Sequence, residues 1–159
     1  MADRPHILIV EARFYPDIAD EMLRGAIGAV EAAGGSHETL SVPGAFEIPA
    51  AIRLAAEAGQ RGKLLRPFEG FVALGCVIRG ETTHYDYVCG ESARGLQQLA
   101  LEQGLAIGYG ILTVENGEQA WARAKLDRKN KGGDAAEACL AMIGVKRRFG
   151  LPGIVGRGA

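Results

Sequence analysis

Apolar residues along this chain follow two periodicities, one typical of buried strands and the other typical of amphipathic helices. Short apolar or alternating runs predict strands at residues 6–10, 37–42, 71–78 and 105–114, and the third of these should be fully buried. Helical spacing of apolar residues, bounded by glycine, proline or capping residues, predicts five helices. They cover residues 18–30, a segment that begins at 49, and residues 85–103, 116–126 and 134–149. A basic loop at 59–67 follows the second helix. In the last helix an apolar stripe of Ala138, Met142 and Val145 shares one face.

Strands that alternate with helices in this way predict a parallel sheet covered by helices on both faces. We therefore expect an α/β fold, a three-layer sandwich around a central four-stranded parallel sheet. A chain of 159 residues suits one domain. That domain should span residues 1–159, and the glycine-rich end at 150–159 should be a mobile tail.

Composition narrows the possible partners. The net charge of -1 offers no basic surface for nucleic acid or an anionic membrane. No apolar run approaches the ~20 residues of a membrane-spanning helix, and the first residues lack the apolar region of a signal peptide. We therefore expect a cytoplasmic protein.

The three cysteines, Cys76, Cys89 and Cys139, form neither a CxxC pair nor a zinc-ligand spacing. We expect no metal site, and we interpret each thiol as a small buried apolar side chain.

The segment that combines the most chemistry is residues 75–89, with the sequence GCVIRGETTHYDYVC. An apolar strand ends there in a Gly/Thr loop, and a helix follows at once. Ligands of open α/β sheets bind at the carboxyl ends of the strands, and a helix N-terminus attracts anions. His84 in this loop could transfer protons near pH 7, or it could be an ordinary helix-start residue. Arg79 and Glu81 could be solvated charges.

Two earlier loops also follow predicted strands. Residues 42–49, VPGAFEIP, contain Gly44, which permits close backbone approach, and Glu47, which could accept hydrogen bonds from hydroxyl groups; a simple Pro-Gly turn is the alternative. Residues 11–16, EARFYP, contain Phe14 and Tyr15, whose exposure is costly unless they pack on a planar ligand or a neighbouring subunit.

A basic run comes late in the chain, with Arg123, Lys125, Arg128, Lys129 and Lys131. It could be a solvated face, although an anionic substrate would need at least one such cation. Arginine is the better bidentate partner of phosphate.

Taken together, these blocks resemble the lumazine synthase family over residues 6–149. The resemblance rests on Arg13-Phe14, the segments 42–49, 75–89 and 110–116 (GILTVEN), and 130–132 (NKG). It implies a flavodoxin-like fold and the condensation of 5-amino-6-(D-ribitylamino)uracil with 3,4-dihydroxy-2-butanone 4-phosphate. It implies no metal and no cofactor.

The resemblance also implies roles for individual residues. Phe14 would stack on the pyrimidine, and His84 would carry protons. The ribityl chain would lie against Ala45, Phe46 and Glu47, and the uracil edge would be read by the backbone of Cys76, Val77 and Ile78. The phosphate would be held by the amides of Glu81 and Thr82 and by Arg123, while Tyr109 would come from an adjacent subunit, with Lys131 and Asp134 as supporting polar residues.

Family members assemble as pentamers, some of which form icosahedral shells of sixty subunits, and a functional link to riboflavin synthase is implied. The charged, glycine-free segment 125–131 favours a free pentamer here. Two alternatives remain open. One is a hydrolase that uses Cys76 and His84, and the other is a non-catalytic lumazine- or flavin-binding shell protein.

Overall fold

A computed structural model describes residues 4–151. Its strands are β1 (His6–Ala12), β2 (Ser36–Val42), β3 (Gly70–Ile78) and β4 (Ala106–Val114), and its helices are α1 (Pro16–Ala32), α2 (Ile48–Gln60), α3 (His84–Gln103), α4 (Gly117–Ala124) and α5 (Lys131–Arg148). A 3₁₀ turn, Ala45–Glu47, precedes α2. The strands form a parallel sheet in the order β2-β1-β3-β4. This confirms the predicted α/β fold with its four-stranded parallel sheet.

Helices cover both faces of this sheet. Alternate residues of β1 point to opposite faces, so Ile7 and Ile9 join one apolar cluster while Leu8 and Val10 join another. The first cluster includes residues of α1, α4 and α5, and the second includes residues of α2 and α3. Central parallel strands therefore need apolar residues at almost every position, which explains why β1 is buried throughout.

Small residues bring α5 unusually close to the sheet. A Cβ atom at Gly108 of β4 would overlap the carbonyl oxygen of Ala135, and one at Gly132 would overlap the carbonyl oxygen of Met22 in α1. Asn130 precedes α5 in a left-handed conformation (φ 42°), and its side chain accepts a hydrogen bond from the Gly133 N–H at 3.2 Å. The helix therefore begins at Lys131, three residues before the predicted start.

The apolar stripe predicted on the last helix faces away from the core. Ala138, Met142 and Val145 are exposed. The residues of α5 that are buried are smaller on average: Gly132, Gly133, Ala135, Ala136, Cys139 and Ile143. A prediction based on large apolar side chains does not find this buried face, because the close approach of the α5 backbone to the sheet and to α1 requires small residues there.

Other predicted boundaries shift by a few residues. The expected loop at 59–67 begins only after α2 ends at Gln60, and α4 ends at Ala124 rather than at residue 126. The strand predicted as fully buried is buried from residue 70 to 75, but its last three residues are half-buried. Strand β2 lies at the sheet edge, and none of its residues is buried. Most of the predicted mobile tail lies outside the described residues.

Candidate active site

The loops at the carboxyl edge of the sheet carry most of the predicted site residues. Strands β2, β1 and β3 are neighbours, so the loops that follow them meet at one edge. Phe14 follows β1, the turn Ala45–Glu47 follows β2, and residues 79–83 connect β3 to His84, the first residue of α3. The 3₁₀ turn packs against both β3 and α3, which joins two of these loops directly.

Phe14 presents an exposed aromatic ring on a loop that is held from beneath. The ring is 73% exposed and makes an edge contact with Tyr15, with centroids 5.0 Å apart. Arg13 donates a hydrogen bond to Glu11, a buried carboxylate, at 2.6 Å, and it also pairs with Asp20. The pKa of the Arg13 guanidinium is raised by the hydrogen bond to Asp20 and then by that to Glu11. The loop is therefore anchored while its aromatic ring faces solvent.

The turn after β2 offers an apolar surface beside an acceptor. Ala45 is buried, Phe46 is exposed, and the Glu47 N–H donates to the Gly44 carbonyl at 3.2 Å. The Glu47 carboxylate folds back over Gly44, where an added Cβ would lie 3.1 Å from Oε2. Among residues 4–151 this carboxylate has no hydrogen-bond donor, which leaves its oxygens free to accept from a ligand.

The loop from β3 to α3 is open to solvent. Residues 80–84 are exposed, and the His84 N–H makes a long hydrogen bond of 3.4 Å to Thr82 Oγ1. Because α3 is 20 residues long, its N-terminus provides unpaired amides and a positive dipole end beside this loop. The arrangement can hold an anion next to an imidazole.

Arg79 at the start of this loop is exposed, as a solvated charge would be, but it also makes specific contacts. Its guanidinium pairs with Glu115 at 2.9 Å and with Asp86 at 3.5 Å, and it lies 4.3 Å from the centroid of the Tyr85 ring. These contacts could have been predicted from an arginine at the end of β3, together with acidic residues after β4 (Glu115) and in the first turn of α3 (Asp86).

The thiols do not form a nucleophilic site. Burial raises the pKa of the Cys76 thiol to about 11, so it stays protonated near pH 7. No hydrogen bond joins Cys76 to His84 within the described part of the chain. Cys139 is buried as predicted, whereas Cys76 and Cys89 are only half-buried. The geometry therefore counts against the hydrolase alternative.

Three predicted site residues lie apart from this group. Tyr109 is in β4 opposite Ala73, five positions before the strand ends at Val114, which corresponds to about 16 Å at ~3.3 Å per residue. Its ring is 47% exposed and lines a groove of about 340 Å³ with residues of α3. Burial raises the pKa of the Tyr109 hydroxyl, and its neighbours Cys89 and Tyr85 raise it further.

Arg123 and Lys131 lie on the other face of the sheet from α3. Arg123 is in the last turn of α4, where Nη1 donates to the Gln119 carbonyl at 3.0 Å, and the guanidinium is half-buried. Lys131 begins α5 and pairs with Asp134 at 3.3 Å. Helices α4 and α5 pack with α1, whereas His84 begins a helix of the opposite layer. Within one chain, the sheet therefore separates Arg123, the predicted phosphate-binding residue, from His84, the predicted proton carrier.

Comparisons with known proteins agree over nearly the whole chain. The sequence model of the 6,7-dimethyl-8-ribityllumazine synthase family matches residues 4–147. The chain is 57% identical to the 6,7-dimethyl-8-ribityllumazine synthase of Bartonella tribocorum, over 94% of this chain and 95% of that protein. It is 58% identical to 6,7-dimethyl-8-ribityllumazine synthase 1 of Rhizobium meliloti, over 91% and 94% of the two chains, and 58% identical to the enzyme of Sphingopyxis alaskensis, over 92% and 98%.

The described helices include none with the length and hydropathy needed to cross a membrane. The matched range covers β1 through nearly all of α5, and it includes each of the loops at the carboxyl edge. The chain therefore belongs to the 6,7-dimethyl-8-ribityllumazine synthase family.

Proposed function

We propose that this protein is a transferase that condenses 5-amino-6-(D-ribitylamino)uracil with 3,4-dihydroxy-2-butanone 4-phosphate. The products are 6,7-dimethyl-8-ribityllumazine, phosphate and water, in the penultimate step of riboflavin biosynthesis. The observation that carries the proposal is the family match over residues 4–147, since it contains every loop at the carboxyl edge of the sheet.

The pyrimidine would bind between the first three loops. The exposed ring of Phe14 provides a flat surface for stacking, and the Glu47 carboxylate has acceptor capacity for ribityl hydroxyls. Ala45 and Phe46 supply apolar surface beside it. The half-buried backbone at Cys76, Val77 and Ile78 would read the edge of the uracil ring, which requires hydrogen bonds at fixed positions.

The butanone phosphate would bind at the N-terminus of α3. The backbone amides of Glu81 and Thr82 would donate to the phosphate, with the Glu81 side chain turned away because like charges repel. In the reaction the amine attacks the ketone carbonyl and forms an imine with loss of one water, phosphate is eliminated, and ring closure on the second carbonyl releases a second water. Each step moves a proton, and His84 would carry it. Holding both substrates in place supplies the remaining advantage.

The other cations and Tyr109 would complete the site from a neighbouring subunit. Arg123 lies across the sheet from α3, so it would reach a phosphate at His84 more readily from an adjacent chain. Membership of the family supports the same origin for Tyr109. Lys131 would act as a supporting polar group. A cyclic ring of subunits supplies such a contact at every site, and we propose a homopentamer.

A free pentamer is favoured over a shell of sixty subunits by the connection between α4 and α5. Lys125, Arg128 and Lys129 are exposed there, and their repetition at contacts between pentamers would be unfavourable where salt does not screen it. The lack of glycine in this segment carries less weight, because Asn130 takes the left-handed position. Sedimentation at several salt concentrations distinguishes a pentamer of about five chain masses from a shell, and a shell at low salt would contradict this part of the proposal.

The cytoplasm is the proposed location, and the free state of all three cysteines agrees with a reducing compartment. A functional link to riboflavin synthase follows from the proposed product. The direct test is turnover of purified protein with both substrates, measured by lumazine absorbance and phosphate release. Tight binding of lumazine without turnover would instead indicate a non-catalytic binding protein. The absence of both turnover and lumazine binding would overturn the assignment.

A further inference from the structure

We propose that Arg79 is a positioning residue that holds the loop 80–83 and His84 in their working arrangement. This inference rests on the proposed function. The loop itself is weakly held: an added Cβ at Gly80 would meet open space, and the internal hydrogen bonds are the 3.4 Å bond to Thr82 Oγ1 and a 3.0 Å bond from the Asp86 N–H to the Thr83 carbonyl. Such a loop needs an external anchor to keep one conformation.

Arg79 supplies that anchor with its backbone N–H and its guanidinium. Its backbone N–H donates to the Val114 carbonyl at 2.9 Å, which fixes the start of the loop to the end of β4. Its guanidinium Nε donates to Glu115 Oε2 at 2.9 Å, again on the β4 side. The same planar group lies over the ring of Tyr85, the residue directly after His84.

These contacts join both ends of the loop. Nη1 lies 3.5 Å from Asp86 Oδ1, so the side chain at position 79 reaches the first turn of α3 as well as the end of β4. The fork of arginine suits this bridging, because it can face two carboxylates and stack on an aromatic ring at once. Lysine could make only part of this arrangement.

The arrangement also controls charge beside the proposed phosphate. Asp86 and Glu115 are carboxylates near the start of α3, and an anionic substrate placed there would be repelled by them. Arg79 lies between the two and offsets their charge. Because all three side chains are partly exposed, their contribution to folding stability should be small, and the effect should appear mainly in catalysis.

The test compares Arg79→Gln, Arg79→Lys and a matched control, Arg94→Gln. Arg94 lies on the same helix as His84 and pairs with Glu91 at 2.7 Å, but this pair lies about two turns beyond the loop. In Arg79→Gln, kcat should fall about tenfold or more and KM for the butanone phosphate should rise by a similar factor, because small displacements of reacting groups are costly. KM for the pyrimidine should change less than about threefold on the same grounds.

Arg79→Lys should recover part of the loss, because a cation over Tyr85 remains. Arg94→Gln should match the wild type. A purely structural role would instead lower the number of active sites, so kcat would fall with both KM values unchanged. That pattern, or wild-type kinetics in Arg79→Gln, would overturn the inference.

Melting temperature and sedimentation of each variant check folding and assembly. If Arg79→Gln does not assemble, Glu115→Gln decides the question, because it removes one anchor and leaves the stacking on Tyr85. Loss of the Glu115 charge by itself would lower KM for the butanone phosphate. A rise in that KM therefore supports the inference, and an unchanged or lower KM contradicts it. If the wild type and Arg94→Gln show no turnover at all, the proposed function has failed, which is distinguishable from failure of the role of Arg79.

Discussion

Phe14→Ala should weaken binding of the pyrimidine without destabilising the protein. The ring is 73% exposed in the free chain, so its truncation removes little packing, and the free energy of unfolding should change by less than about 0.5 kcal/mol. Full burial of such a side chain is worth about 1.5–3 kcal/mol, and a stacked ligand covers one face of the exposed part, roughly 0.5–1 kcal/mol. Stacking adds about 0.5–1.5 kcal/mol.

Together these effects predict a roughly 5- to 70-fold rise in KM for the pyrimidine, since each 1.4 kcal/mol is about tenfold. The assay is steady-state formation of lumazine with each substrate varied in turn, together with thermal melts. Phe149→Ala is the matched control, because Phe149 is 69% exposed but lies at the far end of α5. Unchanged KM in Phe14→Ala, or an equal rise for both substrates, would show that Phe14 does not stack on the pyrimidine.

The remaining substitutions separate the other roles. His84→Ala should lower kcat by about 10²–10⁴-fold yet retain measurable turnover, and a wild-type kcat across the pH range would refute proton transfer by His84. Arg123→Ala should raise KM for the butanone phosphate roughly 10–100-fold, from about 1.5–3 kcal/mol for a charge-assisted hydrogen bond, and equal weakening of the pyrimidine would contradict this. Cys76→Ala should remain active. In the wild type, alkylation of Cys76 should accelerate about tenfold per pH unit from pH 8 to 10, because only the thiolate reacts and the pKa is about 11; a plateau below pH 9 would refute the raised pKa.

The sheet could be predicted from the sequence because central parallel strands carry apolar residues at nearly every position. Each of the four strands begins within one residue of its predicted start, and β2, β3 and β4 end where predicted. The exception in burial is informative. The last residues of β3 are half-buried, because the strand gives way there to a loop exposed to solvent.

Helix faces were harder to predict than helix positions. Apolar periodicity marked Met142 and Val145 of α5, but the core face is built on Gly132 and Ala136, whose value lies in backbone approach and not in hydrophobic area. The contacts of Arg79 were also not predicted, because residue types alone do not show which charged side chains meet in the fold. Arg79 resembles any solvated charge until the fold brings Glu115, 36 residues along the chain, and Asp86 of the next helix to it.

The candidate site was predicted one loop at a time, because the carboxyl-edge rule applies to each strand separately. Whether the pieces form one site depends on which chain supplies them. Arg123 lies in the layer of α1 and α5, and His84 begins a helix of the opposite layer. If both act on one substrate, the simplest arrangement in a ring is that His84 comes from one subunit and Arg123 from the next.

Subunit complementation tests this arrangement. Co-expression of His84→Ala and Arg123→Ala chains with different tags, followed by purification on both tags, gives mixed rings. A site formed between neighbours regains both wild-type residues where an Arg123→Ala chain supplies His84 and the adjacent His84→Ala chain supplies Arg123. Random mixing of equal amounts of the two chains gives this combination at about one quarter of the sites. Activity at low butanone phosphate should therefore rise to roughly a quarter of the wild-type value, well above either variant alone. Mixing His84→Ala with the double variant is the control, because no site can regain His84. Mixed rings no more active than the separate variants would mean that the two residues act within one chain, and the proposed intersubunit site would have to be abandoned.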